Sequence, residues 1–181
     1  MADSEELSVW DNEADRAMHD QKYNVLPKKI SNLLDKYIKL PATVLDAGCN
    51  IGKWHNAFVN YGFNYVGVDQ SPRAIEYALK EYPGSRFICS RLQKFEESEQ
   101  YDLVFTSAVL QHSKDIHKDF IFCVFHRALK PKGYYLMQEN TVKDDSDGYS
   151  KSGLQWIDFV VQRGFEIVEY TTPDLYLFQK N

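Results

Sequence analysis

Apolar positions along the chain follow two different periods. Residues 27–39 place apolar side chains three and four positions apart, on one face of a helix that Pro27 suits at its first turn. From residue 43 onward, short apolar runs of strand character alternate with longer segments of helical character. This alternation predicts βαβ units and a mostly parallel sheet with helices on its faces.

Seven strands are predicted in this part of the chain. Their ranges are 43–47, 64–69, 86–90, 101–106, 133–139, 165–171 and 175–180. Helices are predicted at 27–39, 53–62, 71–82, 115–129 and 154–163. A short turn at Pro173 and Asp174 separates the last two strands, so they should pair antiparallel, because a parallel return needs a long crossover. The predicted fold is a Rossmann-like, doubly wound α/β sheet of seven strands, mostly parallel, with an antiparallel last strand.

The length and the charge distribution predict one domain with an acidic leading segment. A chain of 181 residues can bury a core without disulfide bonds. Residues 1–20 contain seven acids and one base, whereas the rest of the chain is nearly neutral. We therefore expect an acidic N-terminal segment at 1–22, a candidate lid, followed by a single domain at 23–181.

Several classes of protein are disfavoured by composition. The sequence contains no run of eighteen apolar residues that could span a bilayer. Its acidic start lacks the features of a secretory signal, which predicts a cytoplasmic location. No stripe of Lys and Arg is present, so a nucleic-acid partner is disfavoured. The three cysteines, Cys49, Cys89 and Cys123, are widely spaced, which predicts reduced, mostly buried thiols and no metal site.

The segment TVLDAGCNIG, residues 43–52, joins the first predicted strand to a turn with two glycines. In an open parallel sheet this turn lines the ligand crevice. The dinucleotide pattern G-x-G-x-x-G fails here, because its second and third glycines are replaced by Asn50 and Lys53. Asparagine can stand for glycine, since it tolerates left-handed backbone. Asp69 ends the second strand, where a carboxylate can accept hydrogen bonds from both hydroxyls of a ribose.

The pattern D-x-G-x-x-x-G, followed by an acid after the second strand, resembles the class I S-adenosylmethionine-dependent methyltransferases, in particular the type 11/25-like group. The resemblance covers residues 43–181 and implies S-adenosylmethionine as the cofactor. In that family the glycine turn surrounds the methionine part, and the acid holds the ribose. The cofactor residues implied by position are Asp46, Gly48, Cys49, Asn50, Gly52, Asp69, Gln70, Leu92, Gln93 and Ser107.

One departure from the family concerns the adenine end of the cofactor. Family members commonly carry an acid after the third strand, which bonds the adenine amino group. This chain has Ser90, Arg91, Leu92 and Gln93 in that region. The resemblance therefore leaves backbone groups, the Leu92 side chain and Gln93 to hold the adenine.

Four further segments, RFICSRLQKF, YDLVF, VLQHSKDIH and LKPKGYYLMQEN, are similar to the protein N-terminal amine methyltransferases. In that family a histidine after strand four and an aspartate in the loop after strand five act on the α-amine, which implies catalytic roles for His112 and Asp147. An imidazole with a pKa near neutrality suits proton acceptance. Ala108 departs from the family, because it stands at the position of a substrate-binding aromatic residue. Substrate contacts are expected from Trp10, His19, Glu139 and Asn140.

Three functions are compatible with these patterns. The first is methyl transfer to a nitrogen or oxygen of a small molecule, because large inserted substrate domains are missing. The second is methylation of protein α-amines, in which case the partner is a peptide end. The third is a methyltransferase-like protein that binds S-adenosylmethionine without turnover. We expect the first, an enzyme; no sequence feature identifies the acceptor or the oligomeric state.

Overall fold

The computed structural model describes residues 4–19, 22–113, 115–141, 151–171 and 173–181, with side chains from Ser8 onward. Helices among these residues are α1 (Ser4–Ala17), α2 (Lys28–Tyr37), α3 (His55–Tyr61), α4 (Pro72–Glu81), α5 (Asp115–Ala128) and α6 (Gly153–Val161). Strands are β1 (Ala42–Ala47), β2 (Phe63–Asp69), β3 (Arg86–Cys89), β4 (Tyr101–Ser107), β5 (Leu129–Gln138), β6 (Phe165–Thr171) and β7 (Leu175–Lys180). Within these ranges, none of the helices has the length and apolar character that crossing a bilayer requires.

The strands form one sheet in the order β3-β2-β1-β4-β5-β7-β6. β1 pairs in parallel with β2 and β4, whereas β7 lies antiparallel between β5 and β6. The predicted α/β fold with an antiparallel last strand is confirmed. β5 begins earlier than predicted, because Leu129 already pairs with Tyr101 before a shift in register. Pro131 and Gly133 conceal this start in the sequence, since neither residue favours a strand.

Buried apolar side chains cover both faces of the sheet. Successive strand residues point to opposite faces, so Val44 packs with Phe58 of α3, while its neighbour Leu45 joins Phe122 of α5 and Trp156 of α6. All five side chains are at most 1% exposed. This double packing holds the strand ends in fixed positions, and the candidate site lies at those ends.

Helix α1 packs against α4 through polar contacts as well as small apolar side chains. The Ser71 hydroxyl, which caps α4 by accepting the Ala74 N–H, also donates to Asp11 Oδ1 at 2.5 Å. Arg73 of α4 forms an ion pair with Asp15 at 2.6 Å. These contacts place α1 beside the end of β2, where the cofactor residues were predicted.

The cysteines differ in part from the prediction. All three are free thiols, and Cys49 is buried, but Cys89 and Cys123 are exposed. Cys89 is the last residue of β3, and β3 is an edge strand with a neighbouring strand on one side only. Cys123 lies on the outer face of α5. The expectation of mostly buried thiols was therefore wrong for two positions, because burial depends on which strand and helix face carry the residue.

Candidate active site

A cavity of about 570 Å³ opens at the carboxyl ends of β1, β2 and β4. The strand order reverses here, because β2 and β4 lie on opposite sides of β1. Ligands of open α/β sheets bind at such a point, and the volume suits a small-molecule ligand. The lining includes nine of the predicted cofactor residues: Asp46, Gly48, Cys49, Asn50, Asp69, Gln70, Leu92, Gln93 and Ser107.

The turn after β1 is shaped by three residues with positive φ. Gly48, Asn50 and Gly52 have φ values of 83°, 49° and 77°. A Cβ at Gly48 would lie 2.6 Å from a methyl group of Val109, so only glycine fits. Asn50 adopts the left-handed backbone and its side-chain oxygen accepts the Ile51 N–H at 2.7 Å. Gly52 faces side chains behind the turn and does not line the cavity.

Asp69 holds the same turn from the end of β2. Its two carboxylate oxygens accept the backbone N–H groups of Asn50 and Ser71, each at 2.9 Å. Burial raises the pKa of Asp69, and these backbone donors act against that rise. The Gln70 backbone N–H is a third donor to this carboxylate, which has about four acceptor sites in all, so acceptor capacity remains for a ligand hydroxyl.

Asp46 is the second carboxylate of the cavity, and it is 1% exposed. Its Oδ2 accepts a hydrogen bond from the Tyr65 hydroxyl at 2.6 Å. Burial raises the pKa of Asp46 to about 7, Tyr65 opposes the rise, and the charge of Asp69 adds to it. A cationic ligand would relieve this unfavourable burial of negative charge.

Aromatic and acidic side chains outside the predicted cofactor residues complete the walls, and Trp54 and Glu13 among them were not predicted from the sequence. Trp54 stacks on Tyr23 with ring centroids 4.0 Å apart, and both line the cavity. Glu13 of α1 and the predicted Trp10 also line the cavity. Aromatic faces and carboxylates both attract cations. Trp54 follows the glycine turn by two residues, and this spacing was the one available signal for it.

His112 lies in a short helical turn, Leu110–His112, directly after β4, and it lines the cavity. The His112 side chain is exposed, yet desolvation by the surrounding protein lowers the pKa of His112, with the charge of Glu13 acting the other way. The Trp10 ring meets the imidazole edge to face, with centroids 5.6 Å apart. A mainly neutral imidazole can accept a proton from a nucleophile. His117 also lines this side and was not predicted.

The other residues predicted to contact the substrate or to act in catalysis are not among the described residues of the cavity lining. The Glu139 carboxylate is buried against the backbone of the loop after β4. Asn140 is exposed, with its N–H donating to the Gln111 side chain at 3.2 Å. His19 is exposed beyond the end of α1. Asp147 lies outside the described residues. Their contacts with substrate stay predictions.

Two features bear on the departures from the resembled families. Ala108 lines the cavity with φ of 56°, so a small non-glycine residue occupies a strained backbone position. In the described part of the chain, no three His, Cys, Asp or Glu side chains converge as a metal site.

Comparison with known proteins agrees with this geometry. A profile of the family described as "Methyltransferase domain" matches residues 18–174. Alpha N-terminal protein methyltransferase 1 of Drosophila melanogaster is 32% identical over 157 residues, which are 76% of this chain and 56% of that protein. Ubiquinone biosynthesis O-methyltransferase of Bradyrhizobium sp. (strain ORS 278) is 27% identical over 138 residues, 72% of this chain and 53% of that protein. The chain thus spans about half the length of these curated relatives.

A solved structure shares the fold. Burkholderia thailandensis 1,6-didemethyltoxoflavin-N1-methyltransferase, crystallised with 1,6-didemethyltoxoflavin and S-adenosylhomocysteine, superposes with a TM-score of 0.73. The match covers 100% of this chain and 92% of that one, at 16% identity. At this identity the likeness concerns the fold alone.

Proposed function

The chain belongs to the S-adenosylmethionine-dependent methyltransferases, and we propose from that premise that it methylates a nitrogen or oxygen of a small molecule. One observation carries the proposal. The predicted cofactor carboxylates, Asp46 and Asp69, share a single cavity with His112, the candidate proton acceptor. Donor and acceptor can therefore meet within one space, which an in-line displacement requires.

The residues present fit the cofactor. Asp69 accepts three backbone N–H groups and keeps acceptor capacity for a ribose hydroxyl. Gly48 lines the cavity with positive φ, a backbone conformation that glycine adopts without strain. Asp46 and the aromatic walls suit a ligand with an ammonium and a sulfonium group. When bound, S-adenosylmethionine supplies an activated methyl group.

On the acceptor side, the chain has to orient the nucleophile and take up its proton. His112 is the proposed proton acceptor, because its pKa is lowered and its ring lines the cavity. Helix α1 is the proposed lid, since its Trp10 and Glu13 cover the same side. A lid of this kind would exclude water while the methyl group is transferred.

Calorimetry with S-adenosylmethionine tests the cofactor part of the proposal. The wild type should bind, and Asp69→Ala should lose binding by about 30-fold or more, because a buried acceptor of hydrogen bonds is removed. Asp102→Asn is a matched control. Asp102 also accepts a backbone N–H, from Thr43 at 2.8 Å, but at the opposite end of the sheet. Equal binding by wild type and Asp69→Ala would contradict the assignment.

Methylation of protein α-amines is the second candidate. It is favoured by the 32% identity with a protein named for that activity. Incubation with labelled S-adenosylmethionine and short peptides separates the two candidates. Peptides with a free amino terminus should be labelled and acetylated ones not; equal labelling of both rules out the α-amine as the acceptor.

A further inference from the structure

Glu139 is a buried carboxylate that lies outside the cavity lining and binds backbone groups. Its side chain is 1% exposed at the end of β5. Oε1 accepts the backbone N–H groups of Val109 and Leu110 at 3.0 and 3.1 Å, and Oε2 accepts that of Gln111 at 3.3 Å. One buried side chain thus binds three successive backbone donors of the loop after β4.

This loop forms one wall of the cavity. His112 follows the three bound residues directly, and Val109 lines the cavity. The Val109 methyl groups fill the space above Gly48, where a Cβ would approach to 2.6 Å. Ala108 enters the loop with φ of 56°, which a side chain rarely adopts without support. Restraint of the loop therefore acts on both the cofactor turn and the candidate proton acceptor.

We propose that Glu139 is a positioning residue, which holds the loop after β4 in the geometry for methyl transfer through hydrogen bonds to three backbone N–H groups. The inference rests on the proposed function for its catalytic meaning, but its structural content can be measured separately. Hydrogen bonds to an ionised acceptor are about twice as strong as neutral ones, so a carboxylate holds this loop better than an amide would.

The surroundings of Glu139 make the restraint sensitive to pH. The groups that face it are the Thr106 hydroxyl of β4, Tyr135 of β5 and Lys118 of α5. Burial raises the pKa of Glu139 to about 7, against the effect of the backbone donors. A proton on the carboxyl would remove its negative charge and weaken the hydrogen bonds from the backbone donors, and the bond from the Gln111 N–H, at 3.3 Å, is the longest of them.

Amide hydrogen exchange by NMR tests the proposal directly. We expect the N–H groups of residues 109–111 to be about tenfold less protected in Glu139→Gln than in the wild type, because the amide cannot replace both acceptor oxygens. Wild-type protection, corrected for intrinsic exchange, should fall at Gln111 as pH drops below about 7. The variant should show no such dependence on pH. The control is Asp102→Asn, because the Asp102 carboxylate also accepts a backbone N–H but lies far from the loop. Its protection at residues 109–111 should match that of the wild type.

The outcomes separate this inference from the proposed function. Equal protection of residues 109–111 in wild type and Glu139→Gln overturns the positioning role. If the variant does not fold, the wild-type titration at Gln111 decides, and protection independent of pH overturns it. Calorimetry should show S-adenosylmethionine bound about threefold to tenfold more weakly by the variant at about pH 8. Absence of binding by the wild type refutes the proposed function and leaves the exchange result standing.

Discussion

Replacing Asp46 by asparagine should stabilise the ligand-free protein at alkaline pH and weaken its binding of S-adenosylmethionine. Asp46 is buried at the end of β1 with one hydrogen bond, from Tyr65 at 2.6 Å. Burial raises the pKa of Asp46 to about 7, and the charge of Asp69 acts in the same direction. Asparagine keeps an acceptor for Tyr65 but removes the buried charge.

The sign of the effect follows from the raised pKa. Between pH 3.8 and about 7 the native protein keeps a proton on Asp46 that the unfolded chain releases. The stabilisation from this proton is therefore full below 3.8 and is lost as pH rises through 7. The interval is about three pH units at about 1.4 kcal/mol each, so ionising Asp46 costs at most about 4 kcal/mol. Asp46→Asn avoids that cost.

Urea unfolding at two pH values checks the prediction. Asp46→Asn should exceed the wild type in free energy of unfolding at about pH 8, by up to about 4 kcal/mol, and the difference should shrink towards about pH 5. Asp102→Asn should instead be destabilised, because the Asp102 carboxylate is paired with Lys130 and with a backbone N–H. A folded Asp46→Asn protein that is less stable than the wild type at about pH 8 would refute the reasoning.

The same variant should bind the cofactor poorly. A buried carboxylate that meets an ammonium group contributes about 2 kcal/mol or more, so we expect the Kd for S-adenosylmethionine to rise about 30-fold or more. Calorimetry on the samples used for unfolding measures this. Unchanged affinity would show that Asp46 does not meet the charged end of the cofactor. Gain of stability with loss of binding is the pattern of a functional residue that folding alone does not favour.

Two further predictions concern the loop contacts and the proton acceptor. Gly48→Ala should lower the free energy of unfolding by about 3 kcal/mol, because the cost of left-handed backbone and the cost of the clash with Val109 add. Gly84 also has positive φ, but a Cβ there would meet nothing within 4 Å. Gly84→Ala should therefore lower the free energy of unfolding by about 1 kcal/mol in the same urea experiment. Equal losses would contradict the clash. Burial lowers the pKa of His112, so the part of the decline in turnover that His112 causes should lie below pH 6.5. His112→Ala should remove this part of the dependence of kcat on pH and leave the part near pH 7 that Glu139 causes.

Much of the fold could be predicted because its signals are local. Alternating apolar periods gave all seven strands, and the short turn at Pro173 gave the antiparallel last pair. The early start of β5 could not be predicted, since Leu129 joins the sheet through pairing with Tyr101, which is distant in sequence. The prediction that the cysteines are mostly buried failed for a related reason, because the exposure of Cys89 depends on the place of β3 at the sheet edge.

The candidate site could be predicted where position along the chain fixes position in space. The glycine turn and Asp69 lie at strand ends, and parallel strands bring these ends together. Glu139 was placed correctly at a strand end, but the direction of its side chain, towards the backbone at Val109, is decided by packing. Trp54 and Glu13 were missed because neither belongs to a motif, and each reaches the cavity through tertiary contacts.

The Val109 side chain lies over Gly48, so the turn after β1 is in contact with the loop after β4. Under the proposed function, a methyl donor that shifts the turn at Gly48 would press on Val109 and so on the loop after β4. Coupling of this kind is reciprocal, so the acceptor alters affinity for the donor by the same factor. For the proposed enzyme, the Val109 side chain over Gly48 is one contact through which donor and acceptor would bind cooperatively.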